Sequence, residues 1–504
     1  MTTIIPRWEW RTFGTRFGRA DSAFAALPET GVQDSDELYL FSKGGQNVKV
    51  RDNLMDIKVL REVNADGLER WEPIMKASFP LSADQARAVT EALDIAAPPA
   101  DGRAWTLDAF LERYAGPDGP IRAVKVHKHR VRYLVNDCTS EVSDVIADGH
   151  PIRTIAIESE NAAAVVAAVA SVGLADYRNI SYPKGIIALL DGAPSRYAVL
   201  DVGSNSIKFH LAEACADGSW KTLDDRAEVT RLGEGLAKSG YISGEALERT
   251  IAAIDGMTTE ARKADALAII AVGTAALRQA VNADAALAEI RRRTGINVEI
   301  ISGDEESRLG YLAAASGLGI GTGTTVVFET GGGSSQFTFG EGAVVKERFS
   351  VNVGAASYTE RFALDRAVDR ERLVRTMAAI SADLGSLDGR QPPDHLVGMG
   401  GAITNLVAVA LRMAKYDPDK VQGFTLERAE VDSQIDRYAR LDADARRTIV
   451  GLQPKRAEVI LAGACIVRVV MERLGQTKLT VSDRGVRHGL LVERFGAESP
   501  TRSK

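Results

Sequence analysis

The 504-residue chain carries a formal net charge of −6, with 45% hydrophobic and 26% charged residues, the profile of an ordinary globular protein. That length leaves room for about three domains, and the acidic balance excludes wholesale coating of nucleic acid. Three widely spaced cysteines, Cys138, Cys215 and Cys465, exclude a disulfide framework and a cysteine-type zinc site, so a cytoplasmic protein is expected.

The opening stretch MTTIIPRWEWRTFG has no apolar signal-like core, and the longest apolar run, AAAVVAAVASVGLA at 162–175, is too short and alanine-rich to span a bilayer. It predicts a buried helix and no membrane partner.

Residues 1–182 read as strands whose charges fall on one side, because side chains alternate with period two. RWEWR aligns Arg7, Glu9 and Arg11; VKVR aligns Lys49 and Arg51; KHRVR aligns Lys128, Arg130 and Arg132; IAIESE ends with Glu158 and Glu160. Recurring cations on one face predict a basic surface or barrel lining that suits a polyanion. The absence of interleaved stacking aromatics and recognised motifs speaks against specific nucleic-acid binding.

The stretch YPKGIIALLDGAPS, punctuated by Pro183, Gly185, Gly192 and Pro194, reads as a joint. Beyond it strands alternate with alanine-rich helices. YAVLDVGSNSIKFHLAE and VVFETGGGSSQFTFG are each a strand, a Gly/Ser turn and a second strand, with Asp201 and Glu329 at the first strand ends. Two such units suggest an internal duplication, and bare amides after Gly331, Gly332 and Gly333 suit anionic oxygens. Between the units, LAIIAVGTAALRQAVN predicts a strand, Gly273 and a helix opening at Thr274. NVEIISGDEESRLGY predicts a strand, Gly303 and a helix whose first turn holds Asp304, Glu305 and Glu306, where negative charge is favoured.

Seven motifs, VLDVGSNSIK, AVGTAALRQAVN, EIISGDEESRLGY, FETGGGSSQF, FSVNVGAASYTERF, LVGMGGAITNL and VSDRGVRHGLL, occur in this order. Together they resemble the exopolyphosphatase and guanosine pentaphosphate phosphohydrolase (Ppx/GppA) family, in its short two-lobe form. The resemblance implies an α/β two-lobe actin-like fold, of the sugar-kinase and Hsp70 ATPase kind, with lobes at 196–320 and 321–504 after a 183–195 linker. It implies Glu306 as general base for water attack on a terminal phosphoryl group and Arg278 as a phosphate-binding arginine. Gly203, Ser204, Asn205, Ser206, Thr274, Gly331, Gly332, Gly333, Ser334 and Ser335 would cradle phosphates. Asp201 and Glu329 would hold Mg²⁺, a hard cation that favours carboxylate, phosphate and water oxygens. The implied substrate is inorganic polyphosphate, with guanosine pentaphosphate or a non-catalytic sensing role as alternatives, and homodimers are common in the family.

Two departures stand in the second loop, where the family usually reads D-x-GGGS-T-E. Here Glu329 replaces the aspartate and Gln336 replaces the glutamate, removing a charge from the expected metal shell. Residues 1–182, through RWEWRTFG, NVKVRDNLMDIKVL and AVKVHKHRVRYLV, resemble the CYTH or triphosphate-tunnel superfamily, an antiparallel barrel that grips polyphosphates. That resemblance implies an α+β domain capturing polyphosphate through Lys49, Arg51, Lys58, Lys128, Arg130 and Arg132. Its family opens E-x-E-x-K, and of those positions only Glu9 keeps its carboxylate, so a binding module is expected rather than a second enzyme. Gly400 and Gly401 of GMGGAITNL resemble the actin-like fold's nucleotide-side turn. The six histidines show no zinc-ligand spacing, and His488 receives no role.

Overall fold

A computed structural model describes residues 6–496 apart from 117, 216, 217 and 343. The N-terminal strands close into an eight-stranded barrel: β1 (Arg7–Gly14), β2 (Gly31–Phe41), β3 (Asn47–Arg51), β4 (Leu54–Val63), β5 (Glu69–Ser78), β6 (Arg122–Val135), β7 (Cys138–Ala147) and β8 (His150–Ser159). All pairings are antiparallel, in the order β1-β5-β4-β3-β2-β6-β7-β8. Closure leaves no open sheet edge, which is why this charged sheet needs no pairing partner. Glu160 falls just past β8, so it does not extend the face carrying Glu158.

The stretch read as a joint is largely helical: Tyr182–Leu190 forms a helix with proline in its first turn. Proline fits there because its missing N–H would have no intrahelical partner. This helix fills one end of the barrel. Tyr182 and Ile186 pack among Phe13, Tyr39, Val124, Val126 and Val145, and Gly185 lies so close to Phe13 that a Cβ there would sit 2.1 Å from the ring.

The apolar run at 162–175 forms a helix over Ala162–Ser171, capped by Asn161 and buried along Val165, Ala168 and Val169. One core cluster runs from the outer wall of the barrel (Trp10, Tyr133, Ile155, Ile157) through this helix to Tyr197, Val199, Ala268 and Phe495. Barrel and first lobe are therefore welded by continuous apolar packing.

The remainder forms two sheets of matching design. The first holds β9 (Arg196–Val202), β10 (Ser206–Ala214), β11 (Trp220–Val229), β12 (Ala268–Gly273) and β13 (Val298–Ile300), in the order β11-β10-β9-β12-β13. The second holds β14 (Thr324–Thr330), β15 (Ser335–Glu341), β16 (Val344–Val351), β17 (His395–Met399), β18 (Thr425–Glu427) and β19 (Lys478–Ser482), in the order β16-β15-β14-β17-β19-β18. Each has an antiparallel three-strand meander joined to parallel strands through its first strand. Hairpin registers coincide: Asp201 opposes Lys208, and Glu329 opposes Gln336. The duplication is thus structural, with Gln336 standing where the first copy has Lys208. Among the described residues no helix is long and apolar enough to cross a membrane.

Candidate active site

Both Gly/Ser hairpins are built so that carbonyls are tied down and amides are left over. In the first, the carbonyl of Asn205 accepts from the N–H groups of Thr230 and Arg231, at 3.2 and 3.0 Å, and that of Ser204 accepts from Gly233 at 2.8 Å. In the second, the carbonyl of Gly331 accepts from Ala355 at 2.9 Å and that of Gly332 from Ala356 at 2.8 Å. These last donors open the helix Ala355–Phe362, whose first amides need external acceptors. Among the described residues, the N–H groups of Ser204, Asn205, Gly332 and Gly333 then have no acceptor, the pattern of an anion-binding nest. Gly354 permits this contact: a Cβ there would lie 2.3 Å from the Gly333 carbonyl carbon and 2.4 Å from the Gly332 oxygen.

Ser335 departs from the expectation. Its side chain is fully buried and donates to the Val353 carbonyl at 2.6 Å, so it fastens the hairpin and does not face a ligand. Ser334 is half-buried and accepts from Gln336 Nε2 at 3.1 Å. Thr274 is buried where β12 gives way to the short helix Ala275–Gln279, its N–H donating to Val202 at 3.3 Å. It therefore sits against the first hairpin.

The acidic turn separates into three fates. Ser302 caps the helix Gly303–Gly317 by accepting from the Glu305 N–H at 3.0 Å. Asp304 accepts from Arg348 at 2.6 Å, and Glu305 accepts two bonds from Arg308 at 2.8 Å. Glu306 instead meets Arg278, whose Nη2 lies 2.9 Å from its Oε2 while Nη1 is held by the Ile301 carbonyl at 2.8 Å. Burial pushes the Glu306 carboxyl above the ordinary carboxylate range; Arg278 opposes the shift, and Asp201 and Glu329 add to it. Hence three carboxylates share one electrostatic neighbourhood, in which the Glu306 carboxylate is a better proton acceptor than an ordinary glutamate.

Asp201 is buried and receives Lys208 Nζ at 3.1 Å. Asp201 raises the Lys208 ammonium above its usual range against the effect of burial, with Glu329 contributing. Lys208 therefore bridges the negative charge of the two hairpins, a residue that motif reading passed over. Glu329 lies against the Gly400 turn, where a Cβ would approach its Cγ to 2.9 Å, and Gly400 has φ +88°. The acids of both lobes and the Gly400 turn meet in one place. The donor set of Asp201, Glu329 and the Gln336 carbonyl is all hard oxygen, which fits Mg²⁺ better than a softer ion. Gln336 supplies no charge to it.

The sequence profile of the Ppx/GppA phosphatase family matches residues 213–498. The chain belongs to this family. An exopolyphosphatase 2 of Mycobacterium tuberculosis is 28% identical over 327 residues, covering 60% of this chain and 100% of that protein. A guanosine-5'-triphosphate,3'-diphosphate pyrophosphatase of Vibrio atlanticus is 29% identical over 306 residues, 60% of this chain and 59% of its own length. A bifunctional 3-dehydroquinate synthase/phosphatase of Fusobacterium nucleatum is 26% identical over 326 residues, 61% of this chain but 48% of that protein. Among solved structures, the Aquifex aeolicus Ppx/GppA phosphatase aligns with a TM-score of 0.56 at 31% identity, covering 60% of this chain and 99% of that one. The two-lobe part is thus a Ppx/GppA domain of actin-like fold. The profile begins at residue 213, the barrel lies outside it, and the barrel's resemblance to the triphosphate-tunnel superfamily is not confirmed.

Inside the barrel four of the six predicted capture residues are tied into ion pairs. Glu37, its side chain fully buried on β2, receives Lys128 at 3.0 Å, Lys49 at 3.1 Å, Arg51 at 3.5 Å and Arg130 at 3.7 Å. Glu141 on β7 receives Arg130 at 3.0 Å and Arg11 at 3.1 Å, and Arg11 also pairs with Glu9 at 2.8 Å. Lys128 further donates to Tyr39 at 2.7 Å and lies 3.8 Å from the Tyr182 ring centroid. Burial drives the Lys128 ammonium well below its usual range, with Lys49 adding to the effect, whereas the surrounding cations hold Glu37 below the carboxylate range despite its burial. Arg132 is exposed and donates to Gln33 at 2.8 Å; Lys58, paired through its backbone with Asn47 and Pro73, is half-buried and its ammonium has no partner among the described residues. Sequence reading missed Glu37 and Glu141, which turn a row of cations into an interlocked network.

Proposed function

We propose that this protein is a Mg²⁺-dependent exopolyphosphatase that removes terminal orthophosphate from inorganic polyphosphate by direct attack of water. The observation that carries the reading is Glu306, tuned upward by burial and neighbouring acids, held 2.9 Å from Arg278 beside two hairpins with unclaimed amides. The hairpin amides bind the terminal phosphoryl oxygens. Arg278, fixed by the Ile301 carbonyl, orients that group and stabilises its developing charge with a planar fork. Glu306 takes the proton from attacking water, a contribution of roughly 10²–10⁴-fold. Mg²⁺, held by Asp201 and Glu329, would supply charge neutralisation on the phosphate oxygens. Positioning and electrostatics carry most phosphoryl-transfer catalysis, so no covalent nucleophile is needed.

In the barrel, five cations (Arg11, Lys49, Arg51, Lys128, Arg130) face three acids (Glu9, Glu37, Glu141). Basic groups outnumber the acids they face in this network, which supports capture of a polyanion that brings further acceptors. Guanosine pentaphosphate is the alternative substrate, supported by the similarity to the Vibrio protein. Competition decides between them: phosphate release from each substrate is measured in the presence of the other, with Mg²⁺. Polyphosphate should inhibit guanosine pentaphosphate turnover more strongly than the reverse; the opposite ranking overturns the assignment. No release from either, with polyphosphate still bound, makes the chain a sensor.

A further inference from the structure

We propose a second metal site, for a first-row divalent transition ion of the zinc class, formed by His210, Asp225 and His488. Three elements bring these residues together. His210 on β10 stands directly opposite Asp225 on β11 in the strand register, and His488 lies in the first turn of the helix Val486–Phe495. One ligand atom from each residue lies within 4.8 Å of the other two, and the imidazole centroids are 4.4 Å apart. Two imidazoles and one carboxylate, with a fourth position for water, is a donor set for Zn²⁺ or Co²⁺ rather than for Mg²⁺.

The independent observation is His210. It is 2% exposed, and its Nδ1 is buried with no hydrogen-bond partner, while Nε2 is 3.2 Å from the Thr222 hydroxyl. A buried ring nitrogen left unpartnered is costly unless something occupies it. Burial disfavours the charged form of both imidazoles, and the neutral ring is the form that ligates. Arg487 and Arg484 are the cations whose charge acts on both rings.

Arg487 grips Asp225 through two bonds at 2.7 and 3.0 Å, and His488 Nε2 lies 3.2 Å from the same carboxylate. A carboxylate has about four lone-pair positions, so Arg487 stays as an outer partner that orients it. His488 Nδ1 accepts from the Gly485 N–H at 3.2 Å. Ligation through Nε2 moves the ring proton to Nδ1 and gives up that single long bond. Metal–ligand distances of ~2.0–2.2 Å would draw the three ligand atoms closer than the 4.8 Å within which they now lie. The site would pin the helix after β19, which packs on β9 and β10, to the first lobe beside Lys208.

Chelator-treated full-length protein is titrated with Co²⁺ in phosphate-free buffer and followed by visible absorption. One equivalent should produce strong bands of a four- or five-coordinate ion, displaced by Zn²⁺, absent in His210→Gln and His488→Gln and retained in Asp201→Asn. A spectrum like hydrated Co²⁺, or bands lost in Asp201→Asn but kept in both histidine variants, overturns the site. X-ray absorption at the zinc edge of the unsubstituted protein covers variants that misfold: two imidazole ligands are expected, and an all-oxygen shell refutes the proposal.

Discussion

Glu37→Gln perturbs the barrel at its electrostatic centre while hardly changing side-chain volume. Four cations lie within 3.7 Å of the carboxylate, whose side chain is wholly buried. Neutralising it leaves Glu141 and Glu9 to face five cations. Breaking a buried ion pair from one side costs about 3–5 kcal/mol, and here part of that loss is avoided if Lys128, already driven below its usual range, gives up its proton. A lysine whose folded-state value is depressed binds fewer protons folded than unfolded, so stability rises with pH between the folded and unfolded values. The variant should therefore lose about 3–5 kcal/mol near pH 6 and recover part of it by pH 9. Four of the five tryptophans, Trp8, Trp10, Trp71 and Trp105, precede residue 182, so urea unfolding followed by tryptophan fluorescence reads the barrel. Glu62→Gln, in a solvent-exposed pair with Arg70, is the control and should shift stability by no more than about 0.5 kcal/mol. Added polyphosphate should protect Glu37→Gln more than the unsubstituted protein, since the ligand replaces the missing charge. A Glu37→Gln midpoint within the control's range would refute the claim that Glu37 holds the lumen together.

Because the Glu306 carboxyl is raised, and a general base must be ionised, activity should fall as pH drops through a value above the ordinary ~4.3; an acidic limb at or below that value in a pH–kcat/KM profile would contradict it. Gln336→Glu restores a carboxylate opposite Glu329 and should lower the Mg²⁺ concentration giving half-maximal phosphate release several-fold; unchanged Mg²⁺ dependence would remove Gln336 from the metal shell. Gly354→Ala forces a Cβ into the Gly332–Gly333 backbone, costing about 1–3 kcal/mol. It should weaken inhibition by orthophosphate or vanadate, whereas unaltered inhibition would show that the second hairpin does not bind the anion.

The duplication was legible because each copy writes the same local device, an acid at a strand end, then Gly and Ser, then a strand. The shared register of Asp201 with Lys208 and Glu329 with Gln336 is that device seen in three dimensions. Ser335 could have been read correctly. It is two residues from Phe337, and strand alternation puts both on the buried side. The helix Tyr182–Leu190 looked like a joint because Pro183 and Gly185 resemble punctuation; proline was starting the helix, and glycine was making room for Phe13. Glu37 was hidden for a different reason. GVQDSDELYLF carries acids on both faces, and which face turns inward depends on barrel closure. His210 and Asp225 face each other across one hairpin, but His488 joins them only because the helix Val486–Phe495 returns to the first lobe, a long-range contact that no local spacing encodes.

The proposed role of Glu306 is that of base in a hydrolytic cleft. Phosphate release from long-chain polyphosphate with saturating Mg²⁺, compared between the unsubstituted protein and Glu306→Gln, tests it most directly. A kcat loss of roughly 10²–10⁴-fold with KM little changed is expected, since the amide keeps the shape but cannot accept the proton. Equal kcat in the two proteins would contradict it.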